Sequence, residues 1–254
     1  MASVFDSVRT VITSRFAFLK VLLLSGILSY PLYQVLFVKF DGWFSVLPIL
    51  TIIFLVYNLG FIIEIVHNEV TDSMILIPPL FKPLQFVSEG VGLLLSTAPV
   101  IALMGFSGYS LYNIGMMKDM PQPFVITVIV LVELILLAIT EIQTIIFAHK
   151  FNPFFAYNFV KVFKNMADFL FRTINLIFCM IIVSVATVSV GILMTKIFSV
   201  NSFAFTYYIV FVIFFYLMIG LYYLGQVYME NMYVNLNIDY DDDAGKIVDK
   251  DIEN

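Results

Sequence analysis

The stretch Phe124 to Ala148, FVITVIVLVELILLAITEIQTIIFA, is an apolar run long enough to cross a bilayer, which takes about 20 residues at ~1.5 Å of rise each. It carries two carboxylates, Glu133 and Glu141. Glu133 lies well inside the run, where an ionisable side chain is costly and marks a functional candidate by default. Five further runs of this kind flank it, at Phe16–Val38, Trp43–Val66, Phe86–Tyr112, Phe169–Thr195 and Phe205–Val227. Pro31, Pro48 and Pro99 fall inside runs, where membrane helices tolerate them as kinks.

Composition agrees. With 61% hydrophobic and 12% charged residues in 254, the chain cannot clothe a soluble domain, which carries roughly 25% charged residues. The expected fold is therefore all-α: a polytopic bundle of six transmembrane helices over residues 1–234, with the lipid bilayer as its solvent. The net charge of −5 comes from the tail, where seven acids after Asn237 face two lysines. Residues 235–254 are expected to form a disordered acidic tail. No basic patch exists to release counterions from phosphates, which excludes a nucleic-acid partner. The single cysteine, Cys179, excludes an intramolecular disulfide and any multi-cysteine metal site. The first apolar run starts too late and runs too long for a cleavable signal peptide.

Orientation follows from the distribution of basic residues. With the N-terminus inside, Arg9, Arg15, Lys20, Lys82, Lys150, Lys161, Lys164, Arg172, Lys246 and Lys250 face the cytoplasm, and only Lys39, Lys118 and Lys196 face out. Both termini are thus expected to be cytoplasmic. The inner connections look amphipathic. Between Phe154 and Arg172, Asn158, Lys161, Asn165, Asp168 and Arg172 recur at helical spacing, opposite Phe155, Phe159, Val162, Phe163, Met166 and Leu170. This pattern predicts an interfacial helix on the inner leaflet. Val4, Val8, Val11 and Ile12 oppose Asp6, Arg9, Thr10 and Thr13 in the same way, and Gln85, Ser88 and Glu89 form a weaker polar side before the third span. The entries VFDSV, LFKPL and VFKNM, around Phe5, Phe81 and Phe163, point to a threefold repeat of inner helix plus two spans.

Four segments carry a family resemblance: LGFIIEIVHNEVTD ending span two, LFKPLQFVSEGVGLLL entering span three, FVKVFKNMADFLFRTINLIF entering span five, and YYLGQVYMEN ending span six. In this order they resemble an uncharacterised bacterial and archaeal six-helix membrane family, domain of unknown function number four thousand and thirteen. Leu224, Gly225 and Gln226 match its closing motif, whereas Glu64 and His67 stand where that family tends to carry arginines. The resemblance implies architecture and a prokaryotic plasma membrane, and no activity.

Candidate chemistry centres on Glu133. At ~1.5 Å per residue, Gln34, Asn58, Ser96 and Ser184 fall at comparable depth, and Thr140 and Thr144 continue a polar stripe on its own helix. This set is a candidate intramembrane polar site. Glu141 and Arg172 are expected to form a structural ion pair. Glu64, His67, Glu69 and Asp72 read as a solvated helix end, because a catalytic zinc site wants three protein ligands and His149 stands apart. Asp239, Asp241 and Asp243 imitate the start of a calcium loop, but Lys250 occupies its last ligand position. Phosphate loops, nucleophile elbows and HExxH are absent. No cofactor, metal or catalytic residue is assigned. A non-enzymatic role in envelope structure or partner binding is expected, other membrane proteins being the candidate partners. An ion-coupled or small-solute transporter using Glu133 is the alternative, its small-molecule substrate unknown, and an interfacial lipid-modifying enzyme is the third.

Overall fold

A computed structural model describes the backbone of residues 3–13, 17–38, 46–71, 78–118 and 120–250, and most side chains as far as Glu230. Among the described residues eight α-helices follow in order: α1 (Val4–Thr13), α2 (Ala17–Tyr33), α3 (Val46–Val70), α4 (Pro83–Met117), α5 (Gln122–Lys150), α6 (Pro153–Ala156), α7 (Phe159–Ile197) and α8 (Phe203–Lys250). A π-helical turn at Gln34–Val38 continues α2, three residues after Pro31. Six helices are long and apolar enough to cross a membrane, and no strand occurs among the described residues. The fold is the expected all-α membrane bundle. Lipid offers backbone groups no partner, so each spanning segment closes its own hydrogen bonds as a helix. Where Pro99 lacks the N–H that would bond the Leu95 carbonyl, the Tyr157 hydroxyl donates to that carbonyl instead.

The spans form three antiparallel hairpins, α2–α3, α4–α5 and α7–α8. Their second helices, α3, α5 and α8, touch one another at the centre. Each first helix packs between two of these: α2 between α3 and α8, α4 between α5 and α3, α7 between α8 and α5. This is the packing that three equivalent hairpins produce. The core lies toward the end of the bundle that holds α1 and α6, here called the terminal end. Phe61–Val66 and Glu141–Ala148 are buried residue after residue, hence on every face. Toward the other end the packing thins. Beyond Met180, α7 keeps a half-buried stripe (Val183, Ser184, Thr187, Gly191, Met194) while its other faces are open. Thr187 and Gly191 in that stripe meet Tyr216 and Tyr208 of α8. The open faces are apolar and suit lipid contact.

Three expectations about the terminal end change. The helix predicted over Phe154–Arg172 is not a separate interfacial element. After the single turn α6, α7 runs unbroken from Phe159 into span five, since no glycine or proline interrupts the chain between Phe159 and Gly191. The side chains of Phe155, Phe159, Lys161, Asn165 and Asp168 lie outside the described residues. α1 does form, but its buried stripe is Val4, Ser7 and Val11, while Phe5 and Ile12 point outward. It docks on α8, where the Ser7 hydroxyl donates to Gln226 Oε1 at 3.1 Å. α8 continues as helix to Lys250, through most of the stretch read as a tail; the side chains of Asp239, Asp241 and Asp243 lie outside the described residues.

Helices α3 and α4 approach closely enough for backbone contact. A Cβ on Gly60 would stand 1.8 Å from the Phe86 carbonyl oxygen, and one on Gly90 2.0 Å from that of Val56. Backbone touches backbone there, as membrane helices do across small residues. Gly60→Ala is expected to push the helices apart at a cost of about 1–3 kcal/mol, read as a lowered melting temperature in detergent. Gly105→Ala, whose Cβ would meet nothing within 4 Å, should leave melting unchanged or slightly raised.

Candidate functional site

Glu133 faces a neighbouring helix. It is half-buried, and Ser107 of α4 donates to its Oε1 at 3.1 Å. A Cβ on Gly108 would stand 3.1 Å from the same oxygen. The other members of the expected polar site bond elsewhere. Asn58 Nδ2 donates to the carbonyls of Phe54 at 2.8 Å and Leu24 at 3.5 Å. Thr140 donates to Leu136 and Ser184 to Ile181, each within its own helix. Gln34 sits in the π turn, which packs on α2 and α3. Ser107, not Ser96, is the α4 residue at the level of Glu133, and α4 runs to Met117, past the boundary expected at Tyr112.

The expected ion pair is divided between two partners. Glu141, 9% exposed, accepts a hydrogen bond from the Thr173 hydroxyl. Arg172, the preceding residue, points Nη2 at Glu230 Oε2 on α8, 4.0 Å away. The two helices meet as anticipated, but the residue facing α5 is Thr173, which is buried, while Arg172 is about one third exposed.

A carboxylate pair absent from the expectations lies at the α3–α4 crossing. Glu64 and Glu89 are 6% and 7% exposed. One amide bridges them: Gln85 Nε2 donates to Glu89 Oε1 at 2.6 Å and to Glu64 Oε1 at 3.3 Å. The two carboxyls lie within hydrogen-bonding reach of each other, and Oε2 of each is buried without a partner. Lys82 Nζ stands 3.7 Å from Glu64 Oε1 at the rim. The segment 78–82 leads into α4. It is held by the Tyr57 hydroxyl, which donates to the Leu80 carbonyl, and by Lys20 Nζ, which donates to that of Pro78 at 2.6 Å. Sequence reading had the parts, Gln85 and Glu89 as a polar side and Glu64 as a helix end. The cue it missed is that Gly60 stands one turn before Glu64 while Gly90 follows Glu89.

The remaining polar residues of span two do not join this pair. His67 Nδ1 donates to the Ala148 carbonyl at 2.6 Å, with its ring 4.4 Å from that of Phe151. Phe151 caps α5 with a left-handed φ of 49°. Glu69 meets the Tyr222 hydroxyl, which also contacts Gln226. Asp72 lies outside the described residues. Among the described residues no group of three His, Cys, Asp or Glu converges on a metal-sized point.

Chemically, two buried carboxyls that share one donor and leave two oxygens orphaned form a half-finished site. Like charges on two such groups repel one another, and Lys82 at the rim supplies one opposing charge. A proton between them, or a small cation across them, completes the site. No family model, no curated protein and no solved structure matches this chain, so the six-helix family resemblance rests on the quoted motifs alone.

Thr173→Val removes a donor from the buried Glu141 carboxyl and is expected to cost about 1–3 kcal/mol. Arg172→Ala breaks only a long, partly exposed pair and should stay within about 1 kcal/mol. Thermal unfolding in detergent compares them, and the reverse order would restore a Glu141–Arg172 pair.

Proposed function

We propose that this protein is a small multi-pass carrier that moves a cation, the proton included, across a membrane, with Glu64, Gln85 and Glu89 as its binding site and no enzymatic chemistry. The observation that carries this reading is the orphaned Oε2 on each of two buried, mutually facing carboxyls. A buried network that serves only to join helices gains most when every member is satisfied, and a half-satisfied one is worse than an apolar contact. Ionisable groups within spans mark ion and proton pathways. Lys82 at the rim acts as a tethered counter-charge that an entering cation replaces. The transport role first attached to Glu133 thereby moves its binding site to the α3–α4 crossing.

A lipid-modifying enzyme is less favoured, because His67 spends its Nδ1 proton on a backbone carbonyl. The basic-residue bias supports cytoplasmic termini, which sets Glu64 and Glu89 near the inner leaflet, and the family resemblance supports a prokaryotic plasma membrane.

Reconstitution of the full chain into liposomes tests the reading. Vesicles carrying the protein should dissipate an imposed gradient of H⁺, Na⁺ or K⁺ faster than empty ones. The Glu64→Gln, Glu89→Gln double variant should lose about tenfold or more of that rate, a barrier rise of ~1.4 kcal/mol or more. Identical behaviour of loaded and empty vesicles for all three ions would leave the structural or partner-binding role in its place.

A further inference from the structure

Three contacts establish how α4 and α5 run past one another. Gly115 meets Val125, Ser107 meets Glu133, and Gly92 meets the ring of Phe147. The same antiparallel register sets Thr97 across from Gln143. Gln143 is 0% exposed, and neither its Nε2 nor its Oε1 has a partner. Its counterparts Ser96 and Thr97 are 0% and 4% exposed. Their hydroxyls donate to the Leu93 carbonyl, so each oxygen keeps lone pairs able to accept.

On α4 itself, Ser96 and Ser107 follow Glu89 by about two and about five whole turns at 3.6 residues per turn. All three therefore lie on one face. The seam carries polar groups at three levels: Glu64 with Glu89, then Gln143 with Ser96 and Thr97, then Glu133 with Ser107. From Glu89 to Ser107 the helix rises about 27 Å at ~1.5 Å per residue, most of a hydrocarbon core of ~30 Å.

We propose that this seam is a proton path, with Glu133 and the Glu64–Glu89 pair exchanging the proton along a file of waters whose middle is held by Gln143, Ser96 and Thr97. The proposal rests on the cation-carrier reading and names the ion and the route. A dehydrated metal cation needs roughly six oxygen ligands wherever it pauses, and the middle level offers one amide oxygen and two hydroxyls. A proton needs one acceptor at a time. It arrives on the Glu133 carboxylate and crosses along a file of waters steadied midway by Gln143 Oε1 and Nε2, an acceptor and a donor. It then reaches Glu89 and leaves from Glu64 as the next proton enters. Gln143 does not titrate and forms no bond to the proton, so it is a positioning residue.

Pyranine-loaded proteoliposomes under a pH gradient test this, with all Na⁺ and K⁺ replaced by N-methylglucamine. Wild-type protein is expected to pass protons undiminished. Gln143→Leu should slow that flux about tenfold or more, while Gln143→Glu, with an acceptor of similar size, should stay within about threefold. The paired Ser96→Ala, Thr97→Val variant serves if Gln143→Leu fails to fold by melting and gel filtration. Flux that disappears without Na⁺ or K⁺ overturns the proton assignment and leaves the carrier reading standing. Flux unchanged in Gln143→Leu but abolished in Glu89→Gln overturns the route alone. Absence of wild-type flux for every ion removes both.

Discussion

The bundle is organised by the contact of α3 and α4 backbones across Gly60 and Gly90. Lipid tails are as apolar as leucine, so no hydrophobic drive holds two spans together, and close packing must do so. Each glycine accommodates a backbone carbonyl of the other helix. The consequence is felt one turn further along. Gln85 reaches Glu64 at 3.3 Å, already near the limit of a hydrogen bond. Withdrawing α4 by one ångström would break that bond and leave the Glu64 carboxyl to Lys82 alone. The tight crossing and the carboxylate pair are thus one feature.

The three-hairpin arrangement shows how unusual that feature is within the same molecule. Each central helix meets the first helix, or entry helix, of the next hairpin through a polar pair near the terminal end. Glu141 of α5 takes Thr173 of α7, Gln226 of α8 takes Ser7 of α1, and Glu64 of α3 takes Gln85 of α4. A carboxyl with a hydroxyl and an amide with a hydroxyl are economical joints. Only the third adds a second acid, Glu89, and with it oxygens that no neighbour satisfies. Joining helices explains the first two pairs fully and the third only in part.

Six spans were legible because twenty-residue apolar runs have few other solutions in water or lipid. Partners were not. Glu64 reads as a solvated helix end because His67, Glu69 and Asp72 follow it, yet it is buried at the α3–α4 crossing, where Gln85 of α4 meets it. Arg172 and Thr173 are neighbours in sequence but turn about 100° apart on a helix, a difference that depth matching ignores. Glu133 does lie in a span. Its partner was set too deep: Ser96 was matched to it, whereas Ser107, about 16 Å further along α4 at ~1.5 Å per residue, is the residue that meets it.

The distribution of unsatisfied atoms gives the last step. Buried side-chain atoms without partners among the described residues belong to Ser25, Glu64, Glu89, Gln143 and Tyr223. Glu64, Glu89 and Gln143 lie on α3, α4 and α5, three helices in mutual contact. A buried amide or hydroxyl left unpaired costs about 1–3 kcal/mol, and a charged group more. Ser25 and Tyr223 stand apart, on α2 and α8. The two acids and the amide lie on the wedge of α3, α4 and α5, and α4 carries Ser96, Thr97 and Ser107 along it toward Glu133. Under the carrier reading proposed above, these are the groups between which the cation passes.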